Sequence, residues 1–131
     1  MTYKLAINGR LPGFNELFGA ANANRHVGNH LKQQAQNAIM WHIRQQLRGV
    51  HIDKPVILHY SYWEPNRKRD KDNVSAGAHK LVQDALVKMG VIPNDGWRDV
   101  QGFTDLNWDV DAKNPRVMVE IEEVTCSMEE T

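Results

Sequence analysis

The chain has 131 residues, 41% hydrophobic and 24% charged, which sets it apart from disordered and fibrous chains and provides for one domain with one core. No apolar run approaches the roughly 20 residues of a membrane helix, and the N-terminus lacks a signal peptide's apolar segment. The single Cys126 can form no internal disulfide, so a reducing cytoplasm is the expected setting. Sixteen bases balance sixteen acids, but the charge is segregated. Residues 120–131 carry five acids (Glu120, Glu122, Glu123, Glu129, Glu130) and no base, leaving 16 bases against 11 acids, a net of +5, over residues 1–119. A basic body with an acidic tail suits a polyanionic partner as well as it suits a plain solvated surface.

Residues 2–8, "TYKLAIN", read as a short strand. A loop rich in Gly, Asn and Ala follows, "GRLPGFNELFGAANANRHVGN", whose Arg10, Asn15, Asn22, Asn24, Arg25 and His26 are either phosphate donors or ordinary loop residues. Residues 29–48 read as a helix with Leu31, Ala35, Ala38, Ile39, His42, Ile43, Gln46 and Leu47 on one face, stopped by Gly49. "KPVILHYSYW", 54–63, is β-branched and aromatic and reads as a central strand. The clearest helix is 74–89, with Val74, Ala78, Leu81, Val82, Ala85, Leu86 and Met89 as its apolar stripe and Gly90 at its end. Strands over 97–106 and 115–124 complete a β-α-β-α-β-β order, with "NWDVDAKNP" joining the last two as a hairpin loop. This is a mixed α+β single domain, a small mixed sheet with two main helices.

Asp70 and Asp72 lie two apart in "EPNRKRDKDN", among Arg67, Lys68, Arg69 and Lys71. If the central strand runs on through residue 72, Asp70 and Asp72 share one face at about 6–7 Å between Cα atoms. Two carboxylates that close repel unless a cation sits between them, and a hard divalent ion such as Mg²⁺ takes carboxylate, water and phosphate oxygens. The bland alternative is a solvated loop in which Asp72 or Asn73 caps the helix. Asp95, in "PNDGW", is a third acid, or a turn residue. Asp109 and Asp111 form a second such pair, read as part of the hairpin loop. The six histidines form no closed zinc set. His79 is the one beside the acids and reads as a polar helix-face residue. Trp41, Trp63, Trp97 and Trp108 read as core or sheet-face packing.

"RKRDKDN" followed by "HKLVQDALVKMGVIPND" resembles the RusA family of Holliday-junction resolvases of bacteria and their phages. The family pattern is Asp-x-Asp-Asn, then Lys-x-x-x-Asp-x-Leu on a helix, then an aspartate after it. Here these are Asp70, Asp72 and Asn73; Lys80, Asp84 and Leu86; and Asp95. "LPGFNE" followed by Arg25 and a helix is similar to the family's opening, and the likeness covers most of residues 5–124. "VSAGAH" before Lys80 is about one helical turn longer than in shorter members. The resemblance implies a nuclease domain over 1–124 and a tail over 125–131. It implies a cytoplasmic homodimer, host- or phage-encoded, that resolves four-way DNA junctions with Mg²⁺. Asp70, Asp72 and Asp95 would hold the metal, Lys80 would stabilise the developing charge, and Arg25, Arg67, Lys68, Arg69 and Lys71 would bind DNA. Asp84 is read as structural. A metal-dependent nuclease for flaps or forks, and a DNA-binding module without catalysis, are the alternatives.

Overall fold

A computed structural model of the chain describes residues 1–19 and 25–125, with the backbone only for residues 25–27. Its elements are β1 (Thr2–Asn8), one π-type turn (Asn15–Gly19), α1 (Arg25–Gln46), β2 (Val56–Glu64), α2 (Lys71–Lys88), β3 (Val100–Val110) and β4 (Arg116–Glu123). The four strands form one sheet in the order β1-β4-β2-β3. β4 is antiparallel to both β1 and β2, whereas β2 and β3 run parallel. The expected α+β architecture is therefore the observed one.

Alternation along the strands aims one set of side chains at the helices. Leu5 and Ile7 of β1, Val56, Leu58, Tyr60 and Tyr62 of β2, and Val117, Val119 and Ile121 of β4 are all buried. They meet Ile39 and Ile43 of α1, Leu47 just beyond its end, and the stripe Val74, Ala78, Leu81, Val82, Ala85 and Leu86 of α2 in one core. Lys4, His59, Ser61, Trp63 and Met118 are on the opposite face of the sheet, with none of them buried.

Three departures from the sequence expectations matter for function. β3 and β4 do not form a hairpin: β4 inserts between β1 and β2, so the connection crosses the end of β2. Asn107–Val110 accordingly belongs to β3 rather than to a loop. The central strand stops at Glu64 instead of running to residue 72, and α2 starts at Lys71, three residues earlier than the periodicity indicates. Polar residues in a helix's first turn are invisible to an apolar stripe, which explains the shift.

The two sheet edges differ. At β1 the Gln46 side chain accepts from Ala6 N–H at 2.7 Å and donates to Ala6 O at 2.8 Å. Beside it, buried His42 accepts from Asn8 N–H at 3.4 Å through Nε2 while Nδ1 lies 2.8 Å from Ala38 O. Helix α1 thus blunts this edge, as exposed strand edges usually require. Among the described residues β3 pairs with β2 alone, and Phe103, Leu106 and Val110 along it stand exposed.

Candidate metal and nucleic-acid site

The β2–α2 connection, residues 65–70, leaves the carboxyl end of the parallel pair, where open α/β sheets place their ligands. An open cleft of about 480 Å³ lies here, lined by Asn66, Arg67, Arg69, Asp70, Lys71, Trp108 and Asp109 among others. Asp70 holds the N-cap position of α2 in extended backbone, and its carbonyl accepts from Val74 N–H at 3.1 Å. Its side chain makes no capping bond. Asp72 sits exposed in the first helical turn, where the helix dipole complements negative charge. Among the described residues neither carboxylate accepts a hydrogen bond or joins an ion pair. The two acids are therefore not alternate residues of a strand, and neither does the capping work of the bland reading. Asn73 bonds elsewhere, with its Oδ1 accepting from Asn15 N–H at 2.8 Å.

Of the basic residues, Arg69 departs most from expectation. Its Nε and Nη2 donate to the two oxygens of Glu64 at 3.0 and 2.8 Å, and its Nη1 donates to Glu16 and to Leu11 O, each at 2.9 Å. Its side chain is only 12% exposed. The planar fork is spent on tying the N-terminal loop to the end of β2, so Arg69 is withdrawn from the DNA-contact set. Glu16 also accepts from Arg10 at 2.9 Å and from Gly13 N–H at 2.9 Å. Burial would raise its pKa, but the Gly13 bond and the two guanidinium groups outweigh it and hold the carboxyl below its ordinary value. Arg67, Lys68 and Lys71 are exposed, and the Lys71 ammonium lies 5.8 Å from the centre of the Trp108 ring. Arg25 opens α1, but its side chain, like that of His26, lies outside the described residues, as do Asn22, Asn24, Cys126 and the tail acids Glu129 and Glu130.

Lys80 lies eight residues beyond Asp72, about 12 Å along the helix axis and about 80° around it. Its ammonium is 3.5 Å from Asp84, the i,i+4 surface pair that the plain reading describes. Asp84 in turn accepts from Gln36 Nε2 at 3.2 Å, and Gln36, 1% exposed, accepts from Lys88 at 2.8 Å. This network joins the two helices and gives Asp84 the structural role expected of it.

Asp95 is exposed in the turn between α2 and β3 and lines a separate open cleft with Gln83, Trp97 and Phe103. Its position follows from the parallel register. Val56 pairs with Val100, so Asp95 precedes the amino end of the β2/β3 pair, while Asp70 follows its carboxyl end. The nine residues of β2 alone separate these ends by about 26 Å. A single chain does not bring Asp95 to Asp70 and Asp72. Among the described residues no three His, Cys, Asp or Glu side chains converge as a ligand set.

Two acids of β3 take places that the sequence reading missed. Asp109 shares the cleft with Asp70, because parallel strands end together. Asp111 stays in the following loop, paired with Arg116 at 3.0 Å. Asp105 faces the helices because β3 carries an extra residue between its pairings to His59 and Ser61. One of its oxygens accepts from Tyr62 at 2.5 Å and from His79 Nε2 at 2.8 Å. His79 is thus held between the Tyr60 and Phe103 rings rather than left on a polar face. Burial, the bond to Asp105 and the nearby negative charge drive the Tyr62 phenol far above the ordinary tyrosine range. Trp108 stacks on Tyr62 at 4.0 Å between ring centres, as packing expectations require, whereas Trp97 (99%) and Trp41 (54%) stand in solvent.

No protein-family model and no curated protein matches this chain. The chemistry of the site is read from its donors. Two uncommitted carboxylates beside exposed lysine and arginine side chains suit a hard divalent cation and a phosphate together. Two carboxylates leave most of an octahedral shell to water, substrate and any further acid. No helix among the described residues is long and apolar enough to cross a membrane.

Proposed function

We propose that the chain is a RusA-like, Mg²⁺-dependent endonuclease that cuts branched DNA, with the four-way junction as its substrate. The observation that carries this reading is the freedom of Asp70 and Asp72. Asp70 lines the cleft at the carboxyl end of the sheet and Asp72 stands exposed in the first turn of α2, both adjacent in sequence to Arg67, Lys68 and Lys71, and among the described residues neither carboxylate has a partner. Asp70 and Asp72 would hold the ion, which when bound supplies Lewis-acid stabilisation and an activated water. Arg67, Lys68 and Lys71 would grip the flanking phosphates, which sets position and salt dependence rather than sequence. Lys80, paired to Asp84 in the free chain, would have to leave that pair to reach the reacting phosphate.

The separation of Asp95 from the other two acids supports a dimer within this reading. β3 is an open edge with apolar Phe103, Leu106 and Val110 along it and Trp97 just before it. A second copy laid antiparallel along that edge brings the amino end of one β3 to the carboxyl end of the other. The partner's Asp95 then approaches Asp70 and Asp72, and two equivalent sites form about one two-fold axis.

The deciding assay is cleavage of a labelled synthetic four-way junction beside a linear duplex and a flap, with and without Mg²⁺, for wild type and Asp72→Asn. Paired nicks on the junction alone, lost without metal and in the variant, are expected. Flap cutting would favour the wider branched-DNA nuclease. Binding without cleavage in any metal would leave a DNA-binding module. Mixing Asp72→Asn with Asp95→Asn chains tests the shared site. Subunit exchange restores one intact site and single nicks if Asp95 acts across the dimer, and restores nothing if all three acids act within one chain.

A further inference from the structure

The turn at Asn15–Gly19 and the residue just before it display two phenylalanines that the core does not use. Phe14 is 46% and Phe18 36% exposed, and their rings lie 4.7 Å apart, tilted by 44°. Large apolar side chains in a loop normally turn inward; here Leu17 does so, at 3% exposed. The pair is nevertheless held firmly. Asn15 N–H bonds Asn73 on α2, Arg69 bonds Leu11 O and Glu16, and Glu16 closes back on Gly13 N–H. Gly77 of α2 admits the loop so closely that a Cβ there would stand 2.4 Å from Pro12 O. The loop backbone that carries the rings is therefore pinned against the first two turns of α2, the helix that Lys71 and Asp72 begin.

We propose that Phe14 and Phe18 form a stacking platform for nucleobases left unpaired at a DNA branch point. The inference rests on the nuclease reading and adds to it the group that distinguishes branched from linear DNA. An aromatic face accepts any base without reading its edge, and a rigid one loses little freedom on binding. A linear duplex keeps its bases stacked on each other and offers the platform nothing, whereas a branch point exposes base faces. The exposed Arg67 and Lys68 on the β2–α2 connection and Lys71 at the start of α2 supply the matching positive charge for the strand that carries those bases.

The test is equilibrium binding in EDTA, read by fluorescence anisotropy, to a four-way junction with 2-aminopurine at the branch point and to a linear duplex of the same sequence. Wild type is compared with Phe14→Ala/Phe18→Ala, with Phe14→Leu/Phe18→Leu, which keeps apolar volume without a π face, and with Phe14→Tyr/Phe18→Tyr. The Ala and Leu pairs should lose about tenfold or more in junction affinity and leave duplex affinity unchanged. The 2-aminopurine signal should change with wild type and the Tyr pair only. Wild-type junction affinity in the Leu pair, or an equal loss on both DNAs, would overturn the platform while leaving nuclease activity to stand on its own assay. Loss of self-association with unchanged junction binding would do the same and assign the rings to a second copy. A wild-type chain that binds no DNA would overturn the nuclease reading and the platform together.

Discussion

Replacing Gly77 by alanine should destabilise the protein, although alanine is the better helix former. In a solvent-facing helix interior the change would stabilise by about 1 kcal/mol. Here the added methyl would lie 2.4 Å from Pro12 O and 2.9 Å from the Cα and C of Gly13. These are backbone atoms, fixed by Arg69 on Leu11 O and by Asn73 on Asn15 N–H. Overpacking of this kind costs about 1–3 kcal/mol, and lifting the loop also exposes part of Leu11 and Leu17, each worth about 1.5–3 kcal/mol when fully buried. After the propensity gain, the net loss should be about 2 kcal/mol. For a chain of this length that lowers Tm by roughly 7 °C. Urea unfolding of both proteins, followed by circular dichroism, measures it. A Gly77→Ala protein more stable than wild type by about 1 kcal/mol would show that the loop does not cross the helix at this distance.

Arg69→Lys should cost about 2–4 kcal/mol in the same unfolding assay, because an ammonium cannot span both oxygens of Glu64 and reach Glu16 and Leu11 as well; a loss below about 0.5 kcal/mol would place Arg69 back among the surface bases. Glu16 gives acid sensitivity with a definite sign. Its folded pKa is lowered, so its contribution is complete above the unfolded value near 4.3 and fades as pH falls through the lower folded value. Urea midpoints for Glu16→Gln should therefore fall less than wild type across that acid window, and parallel profiles would remove Glu16 from the account. Tyr60 and Tyr62 are raised chiefly by burial, so they should stay un-ionised in the folded protein above pH 10, while the unfolded chain ionises and stability declines. Near-ultraviolet titration should show these two phenols ionising only with unfolding, and full reversible ionisation of the folded chain would contradict their burial. Asp105→Asn should relieve part of the Tyr62 shift in that titration, since it removes the charge that the phenol faces.

Much of the architecture was legible because its signals are local. β1 has the bounds that alternation indicates, and Val74, Ala78, Leu81, Val82, Ala85 and Leu86 all enter the core as their spacing requires. The acid pair and its basic neighbours were equally visible, since residues two apart in a charged run announce themselves in any fold. What stayed hidden was pairing over distance. Nothing in "RKRD" separates Arg69 from Arg67 and Lys68; Glu64 and Glu16 do, and Glu16 is 53 residues away. His79 looked like a polar surface residue because its partner Asp105 is 26 residues on and turned inward by an extra residue in β3.

From the sequence alone come the element order, the apolar faces and the candidate acids, because each depends on side-chain type and on the fixed periods of helix and strand. The tertiary structure alone decided which acids meet. The parallel crossover puts Asp109 beside Asp70 and sends Asp95 to the far end of the sheet. A crossover connection reverses the chain over α2 and starts β3 where β2 started, so nearness in sequence to the end of the helix becomes distance from its beginning. The same connectivity leaves β3 as the open edge, while Gln46 and His42 close β1, a choice made by where α1 lies and written in no local pattern.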